Sequence, residues 1–389
     1  MITEQKIPYP SLDTPAVLVD LDTLEANIRE MSQLAAEARV RLRPHVKVHE
    51  NTTIAKMQIE AGACGVEAGA VEQVEALAEQ GISDIVIAHP NFYGGPRGEI
   101  LKKLLNQSSL KLALVVDMFE QAEIISDLAQ STGKRASVLI KIDLGRGSRF
   151  GVLPGKPVLN LAKKLQRLPG IDFKGIYGHE MGAKPTPEGK DEAAFEAATI
   201  MTENARMLRK EGFTIEHVSI GASPTFQSTC RFIKEGQFPE ITEIHPGQCV
   251  IGDIMYMMAG GNVKEACAVT VLTTVMSTAH PDWVIVDAGY KTFGAESIIA
   301  RRDTPGFFWN GMPSFGWVQN RPDLWFGRLS AETGCLYYKD PKKKVSFGER
   351  LEIVPNNATL VINIHERIYG VRNGVVKKVI PVTGRGRGN

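Results

Sequence analysis

From residue 16 to about 258 the chain alternates two kinds of apolar pattern. Apolar, often β-branched segments recur at 40–47, 64–68, 84–89, 111–116, 136–143, 172–178, 216–220 and 239–245. Between most of them lie stretches such as 51–61, 70–80, 118–131 and 193–210, whose apolar residues fall three and four apart, as on one face of a helix. Eight strands alternating with helices predict a (β/α)8 barrel of the TIM type, an α/β fold. The alternative is an open doubly wound sheet, but no glycine-rich dinucleotide turn follows the first strand. Ahead of the barrel, Ala16-Val17-Leu18-Val19 predicts a short strand. Asp22-Thr23-Leu24-Glu25 then predicts a helix start, an Asp cap with Glu three residues on, and Leu24, Ile28, Met31 and Leu34 share one helical face.

Past Met258 the rhythm changes. Strand-like segments at 269–276, 283–287, 316–319, 335–338, 351–355, 359–364 and 375–382 follow with few helical patterns, and turns are predicted at Ala288-Gly289 and Asn373-Gly374. These predict an all-β C-terminal domain, which the strand at 16–19 is placed to complete. The expected division is 22–258 for the barrel and 1–21 plus 259–389 for the β domain.

Composition narrows the function. With 389 residues, 43% hydrophobic, the chain buries a large core. A formal net charge of +1 gives no general attraction to nucleic acid or acidic membranes, so a small-molecule substrate is the expected partner. Five cysteines, odd in number and without a C-x-x-C pair, argue for reduced thiols in the cytoplasm and against a disulfide framework or a Cys-type zinc site. The start, Met1-Ile2-Thr3-Glu4-Gln5-Lys6, lacks a hydrophobic signal region, and no apolar run approaches about 18 residues.

Candidate chemistry gathers at the predicted strand ends. In the alternating run from Val40, residues Arg41, Arg43, His45 and Lys47 share one face and Val40, Leu42, Pro44 and Val46 the other. A lysine at a barrel mouth, crowded by Arg43 and His45, has its pKa lowered and becomes nucleophilic toward an aldehyde, as a pyridoxal phosphate Schiff base requires. The glycine-rich loop from Leu144 to Gly151 brings Arg146 and Arg149 to a phosphate or carboxylate. The next strand delivers His179 and Glu180, a potential acid/base or ring-packing pair. Gly221, Ser223 and Thr225, with Pro224 at a first helical position, form a phosphate cradle candidate. The last barrel strand adds Glu243, His245 and the turn at Gly247.

Six motifs in order carry a resemblance: Arg43-Pro44-His45-Val46-Lys47; Gly145 through Arg149 to Gly151; Gly221-Ala222-Ser223-Pro224-Thr225; Glu243-Ile244-His245-Pro246-Gly247; Asp287-Ala288-Gly289 to Lys291; and Pro355-Asn356 through His365-Glu366-Arg367 to Gly374. From about residue 10 to Arg387 the chain resembles the D-threonine aldolase and D-serine dehydratase family, pyridoxal phosphate enzymes of the alanine-racemase-like fold (fold type III). The resemblance implies that Lys47 carries pyridoxal 5'-phosphate, that His245 and Gly247 join the cofactor site, and that the protein is a homodimer with active sites near the subunit interface. The family's usual Pro-Asn-His-x-Cys or Pro-Asn-His-x-Asp, which supplies two metal ligands, is replaced by Pro355-Asn356-Asn357-Ala358-Thr359, and a usual Glu-His pair by Glu332-Thr333. Neutral oxygens at Asn357 and Thr359 bind a divalent metal (Mg or Mn) weakly, which implies lost or altered metal use.

The implied activity is a lyase on a D-configured β-hydroxy amino acid such as D-threonine or D-serine. In an aldolase, His179, His45 or His245 would deprotonate the β-hydroxyl; in a dehydratase, Lys47 would remove the Cα proton. A metal-independent racemase or epimerase on the same scaffold and a noncatalytic pyridoxal phosphate-binding protein are the competing readings.

Overall fold

The computed structural model describes residues 8–261, 266–295, 308–340 and 342–387. The chain divides into two compact units. One comprises 28–249, 259–261 and the end from 386, and the other comprises residues up to 27, 250–258 and 262–385. Residues 22–27 and 250–258, expected with the barrel, therefore group with the β-rich unit.

The chain opens with β1 (Ala16–Asp20) and α1 (Leu21–Glu37). Asp20 rather than Asp22 caps this helix, accepting from the Thr23 amide at 2.8 Å, because the helix begins at Leu21 and puts Asp20 just before its first turn. The barrel follows: β2 (Arg41–Leu42), α2 (Thr52–Glu60), β3 (Val66–Ala68), α3 (Val71–Glu79), β4 (Asp84–Ile87), α4 (Pro96–Asn106), β5 (Lys111–Val116) and α5 (Phe119–Ser131). Its second half is β6 (Ala136–Ile142), α6 (Lys156–Leu165), β7 (Ile171–Gly178), α7 (Pro187–Lys210), β8 (His217–Ile220), α8 (Phe226–Lys234) and β9 (Glu243–Ile244). The eight strands form one parallel sheet in the order β2-β9-β8-β7-β6-β5-β4-β3. Its two ends meet where the Cys64 amide donates to Leu42 O at 2.8 Å and the Glu67 amide to Pro44 O at 2.9 Å, which closes the barrel.

Strand β2 is far shorter than the pattern at 40–47 predicts. Pro44 has no N–H to extend the ladder, and the chain turns at Val46–Val48 into one 3-10 turn that carries Lys47. The predicted strand at 239–245 likewise shrinks to Glu243–Ile244.

Alternation along the strands sends Arg43 and His45, Glu67, Tyr177, Ser219, Glu243 and His245 into the barrel, and Val86, Ala88, Val115 and Leu139 pack with Tyr177 on the other side. The interior is thus half polar. Arg43, only 2% exposed, pairs through Nε with Glu243 at 3.0 Å and through its terminal nitrogen with Asp84 at 2.6 Å. The other Glu243 oxygen accepts from the Ser219 hydroxyl at 3.2 Å, and Ser219 lies 2.8 Å from His245 Nδ1.

The second unit contains α9 (Ile254–Met258), β10 (Val269–Ser277), β11 (Trp283–Val286), α10 (Tyr290–Phe293), β12 (Phe308–Trp309), β13 (Met312–Pro313) and β14 (Gly316–Val318). It continues with β15 (Leu324–Leu329), β16 (Gly334–Tyr338), β17 (Arg350–Pro355), α11 (Ala358–Ile364), β18 (Arg367–Arg372) and β19 (Val375–Pro381). Its main sheet runs β15-β16-β11-β10-β1-β18-β19, with β17 on β10 and β14 on β17, so the strand at 16–19 does complete it. Asn373 and Gly374, at φ 52° and 71°, form the tight turn between β18 and β19. Gly289 instead leads into α10. The predicted strand at 359–364 is helix α11: Asn357 caps it, and Ala358, Val361 and Ile362 bury one helical face. Among the described residues, no helix is long and apolar enough to cross a membrane.

Two outcomes follow for stability. Arg43→Met leaves Glu243 buried without its cation and is expected to lower the unfolding free energy by about 3–5 kcal/mol in urea titrations, with the double variant Arg43→Met/Glu243→Met recovering much of it. Fully buried His49 takes the Asn51 amide on Nδ1 at 3.1 Å and meets Gln58 Oε1 through Nε2 at 3.2 Å, and burial holds its pKa down at about 4. Its contribution is complete above the unfolded value near 6.5 and is lost as pH falls toward 4. The advantage of the native protein over His49→Gln should therefore shrink by about 2 kcal/mol between pH 7.5 and pH 5.

Candidate active site

The C-terminal ends of the barrel strands bring together groups far apart in sequence. Lys47 stands on its 3-10 turn with its amide donating to His45 Nδ1 at 3.3 Å. Its side chain opens to solvent at the mouth, yet the surrounding protein crowds the ammonium. Burial lowers its pKa, Arg149 adds to the shift, and Glu67 opposes it. Arg43, which the alternating pattern placed beside Lys47, is instead deep in the barrel and takes no part in this. The outcome for Lys47 is still a larger neutral fraction, the form that attacks carbonyl carbon.

A set of rings surrounds the lysine. His45 lies 5.7 Å from His89, His179 lies 6.0 Å from His245, and His245 stacks on Tyr177 at 4.3 Å and 7°. Burial, with neighbouring Lys47 next, lowers His89 to about 4 and His179 to about 3, and burial drives His45 and His245 well below the ordinary imidazole value. These rings are neutral near pH 7. A carbonyl only accepts, so the 2.7 Å contact with Gly221 O fixes the proton of His179 on Nδ1 and leaves Nε2 with a lone pair.

Beneath the rings lies Glu67, fully buried, whose Oε2 accepts from the Tyr177 hydroxyl at 3.1 Å. Its Oε1 is 3.5 Å from His245 Nδ1. Burial, and then the nearby Glu243, push its pKa well above the carboxylate range. Lys141 projects from β6 with its Nζ 3.3 Å from Ala88 O and 4.8 Å above the Tyr177 ring. Burial brings it down to about 8, Lys47 contributes, and Glu67 opposes.

The loops after β8 and β9 are tied to each other. Gly247 and Cys249 donate their amides to Ser223 Oγ at 3.1 and 3.3 Å. A Cβ on Gly247 would lie 3.0 Å from His45 O, and one on Gly221 would lie 2.9 Å from the His245 amide, so both glycines allow the loops to close in. Thr225 is turned inward: its buried hydroxyl donates to Glu180 at 2.5 Å and lies 3.2 Å from Ala222 O. It braces the loop, and Glu180 lies beneath it. Arg146 forms ion pairs with Glu192 and Glu196. Arg149, exposed and without a carboxylate partner among the described residues, is close enough to bear on Lys47, His89 and Lys141.

Lys47, His45, His179, Arg149, Gly221, Ser223, His245 and Gly247 thus converge on one end of the barrel. Sequence reading overlooked Glu67, His89, Lys141, Tyr177 and Ser219. The available signal was parity: each falls at an inward position of an apolar strand or at its end, where a polar side chain needs an internal partner.

Asn357 and Thr359 lie in the other unit. The Asn357 side-chain oxygen accepts from the Leu360 amide at 3.3 Å as the cap of α11, and Thr359 is within that helix. Among the described residues no three His, Cys, Asp or Glu side chains are grouped to hold a metal ion.

Comparison with known proteins gives the same architecture. The chain is 28% identical to a D-threonine aldolase from Arthrobacter sp over 97% of this chain and 94% of that protein. The crystal structure of D-threonine aldolase from Filomicrobium marinum, 28% identical, matches with a TM-score of 0.83 over 98% of each chain. D-threo-3-hydroxyaspartate dehydratase from Delftia sp. HT23, 26% identical, matches with a TM-score of 0.84 over 97% of this chain and 99% of the other. Residues 268–371 match the putative serine dehydratase domain. Residues 19–254, more than half the chain, match the alanine racemase N-terminal domain, and the protein belongs to that family.

Proposed function

We propose that this protein is a pyridoxal 5'-phosphate-dependent lyase acting on a D-configured β-hydroxy amino acid. One observation carries the proposal: a lysine of lowered pKa, Lys47, stands at the open end of a closed barrel among neutral imidazoles and beside Arg149, which has no carboxylate partner among the described residues. The relatives support the substrate class, since D-threonine aldolase and D-threo-3-hydroxyaspartate dehydratase both act on such amino acids.

The chain's residues fit the cofactor. The buried His45 Nε2 has no hydrogen-bond partner among the described residues, and Gly221 and Gly247 keep the two loops beside the mouth free of side chains. When bound, pyridoxal phosphate withdraws electrons from the bond broken at the substrate's Cα. Lys47 would supply the amine that holds the aldehyde carbon, and its free amine would serve as a base for a Cα proton. The loops at 221–225 and 245–249, whose spacing Ser223 fixes, would hold the phosphate. Arg149 offers a planar fork to the substrate carboxylate. Nε2 of His179, whose proton is fixed on Nδ1, accepts a proton from the β-hydroxyl.

The donors at 357 and 359 do not fit a tightly held divalent cation. The Asn357 oxygen is engaged as a helix cap and Thr359 offers a neutral hydroxyl.

With D-threonine the expected products are glycine and acetaldehyde, and with D-serine, pyruvate and ammonia, measured on the purified protein supplied with the cofactor. L-Threonine and L-serine should be inert. Exchange of the Cα proton with inversion and no product would favour a racemase, and no reaction would favour a noncatalytic carrier. Lys47→Ala should fall to the uncatalysed background. A chelator should leave turnover within about twofold of its starting value, because neutral donors bind Mg or Mn too weakly to matter at trace concentration.

A further inference from the structure

At the end of the barrel opposite Lys47 lies a cavity of about 420 Å3. It opens because the inward positions at the start of β5 and β6 carry only Ala113 and Ser137, too short to fill the space. Leu105 and Leu110, both partly exposed, form the open apolar wall over the buried Ile85, Leu104 and Leu112, and the buried guanidinium of Arg43 reaches it from the barrel interior.

The charges around this cavity are unbalanced. Six lysines and arginines line it against two carboxylates, Asp84 and Glu216. Asp84 is held by Arg43 at 2.6 Å, and Glu216 by Lys174 at 2.7 Å. Arg41 donates to Thr242 O at 3.4 Å, lies 3.4 Å from His217 Nδ1 and has Glu243 at 3.8 Å as its carboxylate neighbour. Lys111, Lys134 and Arg135 have no carboxylate partner among the described residues, and Arg135 donates only to the Ile171 carbonyl. Three cations on one rim repel one another, and a concave, partly apolar wall weakens the screening that open solvent would give.

We propose that this cavity is a second binding site, for a small organic phosphate. A phosphate monoester brings about two negative charges and three oxygens. The Arg135 fork, the ammoniums of Lys111 and Lys134 and the Ser137 hydroxyl can share those oxygens. A compact apolar ester group then covers Leu105 and Leu110, which are only partly buried. That pairing of a charged end with an apolar body distinguishes this site from a solvated basic patch, which takes any anion alike. The site is independent of the catalytic reading, since none of these rim residues lies at the mouth.

The test is calorimetric titration of the full chain, at low ionic strength, with phenyl phosphate and separately with inorganic phosphate. Phenyl phosphate should bind about tenfold or more tighter than inorganic phosphate, and Lys111→Glu/Lys134→Glu should weaken it by about tenfold or more. Ala113→Met, which fills the cavity without changing charge, should weaken phenyl phosphate and leave inorganic phosphate unchanged. This variant decides the matter should the charge-reversed protein fail to fold. Lys47→Ala should leave the tight event in place. The proposal is overturned by equal affinity for the two anions, by indifference to Ala113→Met, or by loss of the event in Lys47→Ala, which would put the ligand at the mouth.

Discussion

A charge placed inside a barrel must be paired, and this constraint shapes the polar half of the interior. Arg43, just past β2 at the seam, and Glu243 on the neighbouring strand β9 neutralise each other. From Glu243 the hydrogen bonds run through Ser219 to His245, whose ring lies on Tyr177, and Tyr177 in turn donates to Glu67. Each group in this series fixes the orientation of the next, so the imidazoles under Lys47 are held by contacts that begin at the far end of the barrel. A buried ion pair of this kind adds little net stability over an apolar pair but is costly to break, and its value here is orientation.

The same burial sets the chemistry of the mouth. Desolvation disfavours charge on every group in the ring, so imidazoles and lysine move toward their neutral forms together. Neutral imidazoles can accept protons, and a partly neutral lysine can attack a carbonyl; in water at the same pH the lysine would be almost wholly protonated. Arg149, permanently charged and exposed, is the complement: it gives an anionic substrate a reason to approach and pushes Lys47 further toward its free amine.

Much of this was legible from periodicity. The β-branched segments located all eight barrel strands, and the residues following them, His179, Gly221 and His245, named most of the mouth. The pattern misled where a side chain outweighs alternation. Pro44 ends the ladder, so Lys47 left the predicted strand for a turn and Arg43 went inward. At 359–364 the apolar residues read equally as strand or helix, and the Asn357 cap decided for helix. Thr225 looked like a ligand because it follows Gly-Ala-Ser-Pro, but its hydroxyl found Glu180, a partner that only the fold supplies. Polar residues inside apolar strands, Glu67, Lys141 and Tyr177 above all, were hidden because single-strand patterns do not show what lies across a barrel.

All of this chemistry depends on the amine of Lys47 binding the cofactor's aldehyde. The most direct measurement is borohydride reduction of the protein with pyridoxal phosphate bound, followed by proteolysis and mass mapping of the modified peptide. Attachment confined to Lys47 is the predicted result. A label on the nearby, more deeply buried Lys141, or on none of the mouth's lysines, would contradict it.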